Sequence, residues 1–293
     1  MKTHFLTFIC FLFVFTGKIA AQADLLGAVQ YLENGEINKA EKIFWANREQ
    51  EKAMEYLGDI ASFKKDWDTA ISRYKELVVK YPETADYHFK LGGAMGLKAL
   101  NGSKFSAAFL LGDIKKHLIQ AARLDSMHAP SRRALVELHM QLPAILGGDE
   151  ELAAKYQREL TAINAVDAWL AKAFIYAEKE KKREAGISIS KALKIAAEQP
   201  QLLDRNYLNY ELAEMAVEYR LQPEFSLQLL KTYIENYGYK DLKSPKWAYL
   251  KMAEVQLYQK NNEKALENVN KALAVEPGFE EAADLKKRLL DMI

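Results

Sequence analysis

The chain has 293 residues, 49% apolar and 28% charged, the balance of a folded globular protein. Forty-one Lys and Arg against 40 Asp and Glu leave a net charge of +1, so no global field draws it to nucleic acid or to an anionic membrane surface. Its one cysteine, Cys10, lies in an N-terminal apolar run, so the chain beyond that run has neither disulfides nor a thiol nucleophile.

That run comes first. Lys2 precedes Phe5–Phe15, followed by Thr16-Gly17-Lys18 and the small residues Ala20-Ala21-Gln22-Ala23. Eleven residues are too few to span a bilayer, which takes about 20. The pattern predicts a signal peptide over 1–21, cleaved after Ala21 or as late as Ala23, and no transmembrane anchor in the mature chain, with an uncleaved anchor as the rival reading. Thr7-Phe8-Ile9 ahead of Cys10 does not resemble a lipoprotein processing site. Export without cysteines points to a bacterial periplasm, with secretion as the alternative.

From residue 24 on, apolar positions recur at helical spacing, and no alternating Val/Ile runs suggest strands. Leu25, Ala28 and Tyr31, a turn at Asn34-Gly35, then Ala40 and Phe44 predict a first helix pair. Glu51 to Thr84 is a second: with Glu51 as position 1, Met54, Leu57, Gly58, Ala70, Tyr74 and Pro82 fall at 4, 7, 8, 20, 24 and 32. A third pair begins near Asp86 and carries about ten surplus residues over 93–105, read as a lengthened first helix ending near Asn101-Gly102 and then a loop. A fourth, from Pro130, has Leu135 and Leu138, an insertion over 141–148, then Ala153 and Leu160. In a fifth, counted from Val166, Trp169, Ala173, Tyr176, Ala185, Ile189 and Ala192 fall at 4, 8, 11, 20, 24 and 27. Tyr207, Leu212, Ala216, Phe225, Leu229 and Tyr233 trace a sixth, with Pro223 opening its second helix. In the seventh, counted from Lys246, Tyr249, Met252, Ala253, Ala265, Val269, Ala272 and Pro277 occupy 4, 7, 8, 20, 24, 27 and 32. A closing helix from Glu280 sets Ala282, Leu285 and Leu289 opposite Lys286, Lys287 and Arg288.

Positions 4, 7, 8 and 11 share one face of a first helix, and 20, 24 and 27 one face of a second. Small residues at 8 and 20 let the backbones approach, and Pro at 32 stops the second helix. This 34-residue spacing resembles the tetratricopeptide repeat, as found in exported bacterial proteins of that family. The resemblance implies an all-α, right-handed superhelical solenoid of antiparallel helix pairs over 24–293, ending in a C-terminal capping helix. It also implies a non-enzymatic interaction scaffold of the cell envelope, with a protein or peptide partner in a concave groove. Groove positions 2, 5, 9 and 12 of the first helices map onto Leu25, Val29, Leu32, Phe89, Leu170, Phe174, Trp247, Leu250 and Leu257. Phe89, Leu170, Phe174, Trp247, Leu250 and Leu257 are the groove candidates: they either anchor a partner through apolar contacts or are covered by the array's own ends or insertions. Some arrays of the family clamp a terminal carboxylate with cationic and amide groups at positions 5 and 9. Glu55 and Asp59 stand there in the second repeat and reverse that charge.

No motif predicts catalysis, a cofactor or a metal. His4, His88, His117, His128 and His139 include no i, i+4 pair, so packing or surface roles are expected. Gly102-Ser103-Lys104 lacks the spacing, residue order and preceding strand of a phosphate loop. Ser126 and Ser131 near His128 lack an orienting acid. Two other functions remain open: a ligand or enzymatic site in the two insertions, lined by Asn101, Lys104 and His139, or a structural subunit of an envelope assembly.

Overall fold

In a computed structural model the described residues are 24–291, less the side chains of 104–106. The expected signal peptide, its cleavage bond and the Lys104 side chain lie outside them.

The chain is helical throughout this range, with no strand among the described residues. Helices pair as α1 (24–33) with α2 (Ile37–Ala46), α3 (Glu51–Phe63) with α4 (Trp67–Lys80), and α5 (Ala85–Leu100) with α6 (Lys104–Leu124). Next come α7 (Ala129–Gln141) with α8 (Glu150–Leu160), and α9 (Ala165–Glu178) with α10 (Lys182–Glu198). The last pairs are α11 (Asn206–Glu218) with α12 (Pro223–Glu235) and α13 (Pro245–Tyr258) with α14 (Asn262–Val275). α15 (Glu280–Leu290) closes the array by burying Ala282, Leu285 and Leu289, as its spacing predicts. Two compact units result: the described part of Met1–His117 with Gly238–Lys240, and Leu118–Tyr237 with the described part of Asp241–Ile293.

One turn recurs within the pairs. Gly35, Lys65, Glu180, Arg220 and Lys260 take left-handed φ of 76°, 60°, 58°, 53° and 63° just after a first helix. The next amide then reaches back to the last turn of that helix: Glu36 to Tyr31, Asp66 to Ala61, Lys181 to Tyr176, Leu221 to Ala216 and Asn261 to Gln256, at 2.8–2.9 Å. This is the bond that satisfies orphan carbonyls at a helix C-terminus. Asp66 and Asn261 then cap the following helices through the amides of Thr69 and Lys264.

The third and fourth pairs depart from this turn. The surplus of the third lengthens α5 to 16 residues and α6 to 21, leaving only 101–103 as connection. The insertion of the fourth is a knuckle: a single 3₁₀ turn, Ala144–Leu146, then Gly147 at φ 86°. Gly148 N–H donates to Pro143 O at 3.1 Å and Asp149 N–H to His139 O at 3.0 Å. A Cβ on Gly148 would lie 1.8 Å from Leu142 O, so only glycine fits. His139 is buried, with Nδ1 3.2 Å from Gly147 O and its ring stacked on Tyr156. It holds the knuckle in place.

Candidate functional site: the face of the first helices

In the first unit, α3 presents Glu51, Glu55 and Asp59 one turn apart, because carboxylates at i, i+4 and i+8 share a helix face. Lys90 of α5 reaches across, its Nζ 2.7 Å from Glu55 Oε1 and 2.9 Å from Asp59 Oδ2. Tyr87 OH donates to Glu51 at 2.7 Å, and Tyr74 OH to Asp59 at 2.8 Å. Burial alone would raise the Glu55 carboxyl; Lys90 and Lys52 outweigh it and hold the group below the usual range. Glu55 and Asp59 are therefore taken by a cation of the chain itself.

Beside them Tyr56 stacks on Phe44, centroids 4.8 Å apart and planes 17° from parallel. Tyr239, in the segment Gly238–Lys240, meets Tyr56 edge-on at 6.2 Å and is only 9% exposed. Phe89 is half-buried on α5.

The second unit repeats the theme with arginine. Arg133 of α7 is buried and pairs with Glu211 of α11, 78 positions away. It also reaches Glu137 at 3.2 Å and the carbonyl of Asp167 at 3.4 Å. Asp167 of α9 is 1% exposed and pairs with Arg205. Burial pushes the Glu211 carboxyl up to about 7; the Arg133 guanidinium pulls against this, while Glu137 and Asp167 add to it. Tyr207, 47% exposed, has its phenol raised by Glu211 and then by burial.

The apolar groove expected from the sequence is not what this face presents. Leu170 is fully buried and Leu250 is 5% exposed, so both are core residues. Leu170 packs with Val166, Ala173 and Ile189; Leu250 packs with Ala253, Ala265 and Phe279. Leu257 lies half-covered against that second cluster, and Phe174 is half-buried on α9. Trp247 meets Phe279 edge-on at 4.7 Å, under the ammonium groups of Lys243 and Lys246 at 5.0 and 5.6 Å from its ring. The structure thus brings Trp247, Leu250 and Leu257 together around one core, and Trp247 packs also against the cluster that holds Leu170. The residues that do occupy the face are charged. Sequence spacing marked only Glu55 and Asp59 among them.

No group of three or more His, Cys, Asp or Glu among the described residues is placed to hold a metal ion. His88 and His117 pair instead. His88 Nε2–H donates to Pro82 O at 2.9 Å, so its Nδ1 accepts from His117 Nδ1–H, also at 2.9 Å.

The sequence matches no protein-family model and no curated protein. Solved structures do match. A tetratricopeptide repeat protein from Parabacteroides merdae superposes with a TM-score of 0.51 over 92% of this chain and 98% of its own, at 12% identity. The chain has the tetratricopeptide-repeat fold. A chain of the Cut9–Hcn1 hetero-tetramer of the APC/C is similar over 90% of this one and 48% of its own, with a TM-score of 0.53 and 17% identity. At such identities the likeness is one of architecture, and the tetratricopeptide helices here carry a charge pattern of their own.

Proposed function

We propose that this protein is a non-enzymatic adaptor of the bacterial cell envelope that binds a protein or peptide segment along the face of its first helices. One observation carries the reading. In both units, charged side chains from different first helices meet on that face, Lys90 with Glu55 and Asp59, and Arg133 with Glu211 and, at 4.0 Å, Asp167. Satisfied polar networks of this kind rigidify the elements they join, and their charges select among partners. His139 is taken up in holding the knuckle and Asn101 in bonding Leu97 O at 2.7 Å, which weighs against a ligand site built from them.

The envelope location rests on the apolar run Phe5–Phe15 and the small residues after it. No helix among the described residues is long and apolar enough to cross a membrane. Photo-crosslinking in the native host tests both parts, with benzoylphenylalanine at Tyr207 on the first-helix face and at Ile145 on the knuckle as control. The expected result is a discrete crosslinked partner from position 207 and none from 145. The crosslinked chain should begin at Gln22 or Asp24 by mass spectrometry. Absence of a crosslink at 207 overturns the binding face, and an intact N-terminus overturns export.

A further inference from the structure

Within the first unit, the inner aromatic site is already filled. Phe44 and Tyr56 are stacked, and Tyr239 closes over Tyr56 with only 9% of its surface exposed. Ala28, Leu32, Ala53 and Leu57 complete the apolar surroundings. Tyr239 is supplied by a three-residue segment, Gly238–Lys240, that belongs to this unit although the chain on either side of it does not. Lys240 follows at once, its ammonium 5.6 Å from the Tyr239 ring. The phenol is raised by burial and Tyr56, and also by the carboxylates of Asp59, Glu33 and Glu55, so the occupant sits in a negative field.

We infer that this site docks an aromatic residue followed by a basic one on a partner protein, and that Gly238–Lys240 is its resident occupant, so that partner and occupant exclude each other. The chemistry is legible in the occupant. A ring slots against Tyr56, which is worth more than its area through edge-to-face geometry. A neighbouring cation enters the field of Glu33, beside the Glu55 and Asp59 carboxylates that Lys90 already pairs. Both contributions are local, so a short segment suffices. The inference rests on the first-helix face being the binding face.

The test uses the full chain and a fluorescein-labelled peptide of its own residues Glu235–Lys243, read by fluorescence anisotropy. The peptide should bind the Tyr239→Ala chain about tenfold more tightly than the unaltered chain, whose site is occupied most of the time. Adding Tyr56→Ala should abolish that binding, and a peptide with Tyr239→Ala should not bind at all. Equal affinity for the two chains, or binding indifferent to Tyr56, overturns the inference. Circular dichroism follows folding of each variant. Should Tyr239→Ala lose helicity, Tyr239→Leu, which keeps the bulk and loses the ring, is read by the same criteria. A crosslink from position 207 together with failure of the peptide sinks this inference alone, whereas loss of the crosslink sinks the adaptor reading beneath it.

Discussion

Tyr74 stands so close to Gly58 that a methyl group added there would lie 2.5 Å from the ring. The ring cannot swing away freely, because its hydroxyl donates to Asp59 and lies 3.2 Å from Ser62 Oγ. Gly58→Ala should therefore destabilise the first unit by about 1–3 kcal/mol, the usual cost of overpacking. Urea unfolding followed by circular dichroism measures it. An unchanged midpoint would mean that α3 and α4 separate without cost.

The left-handed turns give the opposite prediction. Lys65 and Lys260 hold φ of 60° and 63°, a conformation that costs a residue with a Cβ roughly 1 kcal/mol. Lys65→Gly and Lys260→Gly should each raise the melting temperature by a few degrees, whereas Gly35→Ala should lower it. Differential scanning calorimetry of the three variants decides the matter.

Glu211 makes stability depend on pH. Its carboxyl stands at about 7 in the fold, against about 4.3 for an unfolded glutamate. A raised acid favours the folded state fully below the unfolded value, and that contribution is lost as pH climbs to the folded one. Stability should fall between pH 4.5 and 7, by at most about 4 kcal/mol, and Glu211→Gln should flatten the slope. Urea midpoints at four pH values across that window provide the check.

His117 acts at the other end of the same range. Burial, then His88 and Lys116, hold the His117 imidazole below its usual value, while Asp113 opposes them. A base depressed in the fold contributes stability above the unfolded value, lost as pH falls through about 6.5. His117→Gln should remove this loss on the acid side. The His117 ring signals in NMR should titrate below the usual histidine range in the unaltered chain.

The helix pairs were legible because their determinants are local. Gly58 and Ala70, or Ala253 and Ala265, mark the close approach of two backbones within a single 34-residue window. The capping helix was legible for the same reason, since Ala282, Leu285 and Leu289 expose their period without help from any neighbour. The binding face was not. α9, reading AVDAWLAKAFIYAE, is covered on several sides and apolar nearly all round, so spacing alone could not tell that Leu170 turns inward while Asp167 meets Arg133 and Arg205. Arg133 and Glu211 are joined across 78 positions, and Tyr239 fills a site built by residues before 60. Long-range pairings of this kind leave no periodic trace.

The recurrent left-handed turn has a further consequence. Its closing bonds run from backbone to backbone, so no particular side chain is required at the turn: glycine, lysine, glutamate and arginine all form it. A duplicated stretch of about 34 residues would bring its own hinge with it and require no matching change elsewhere. Lineages of such chains can therefore lengthen or shorten one hairpin at a time. The long third pair and the knuckled fourth, which lack this hinge, are the segments such reshuffling would be expected to leave in place.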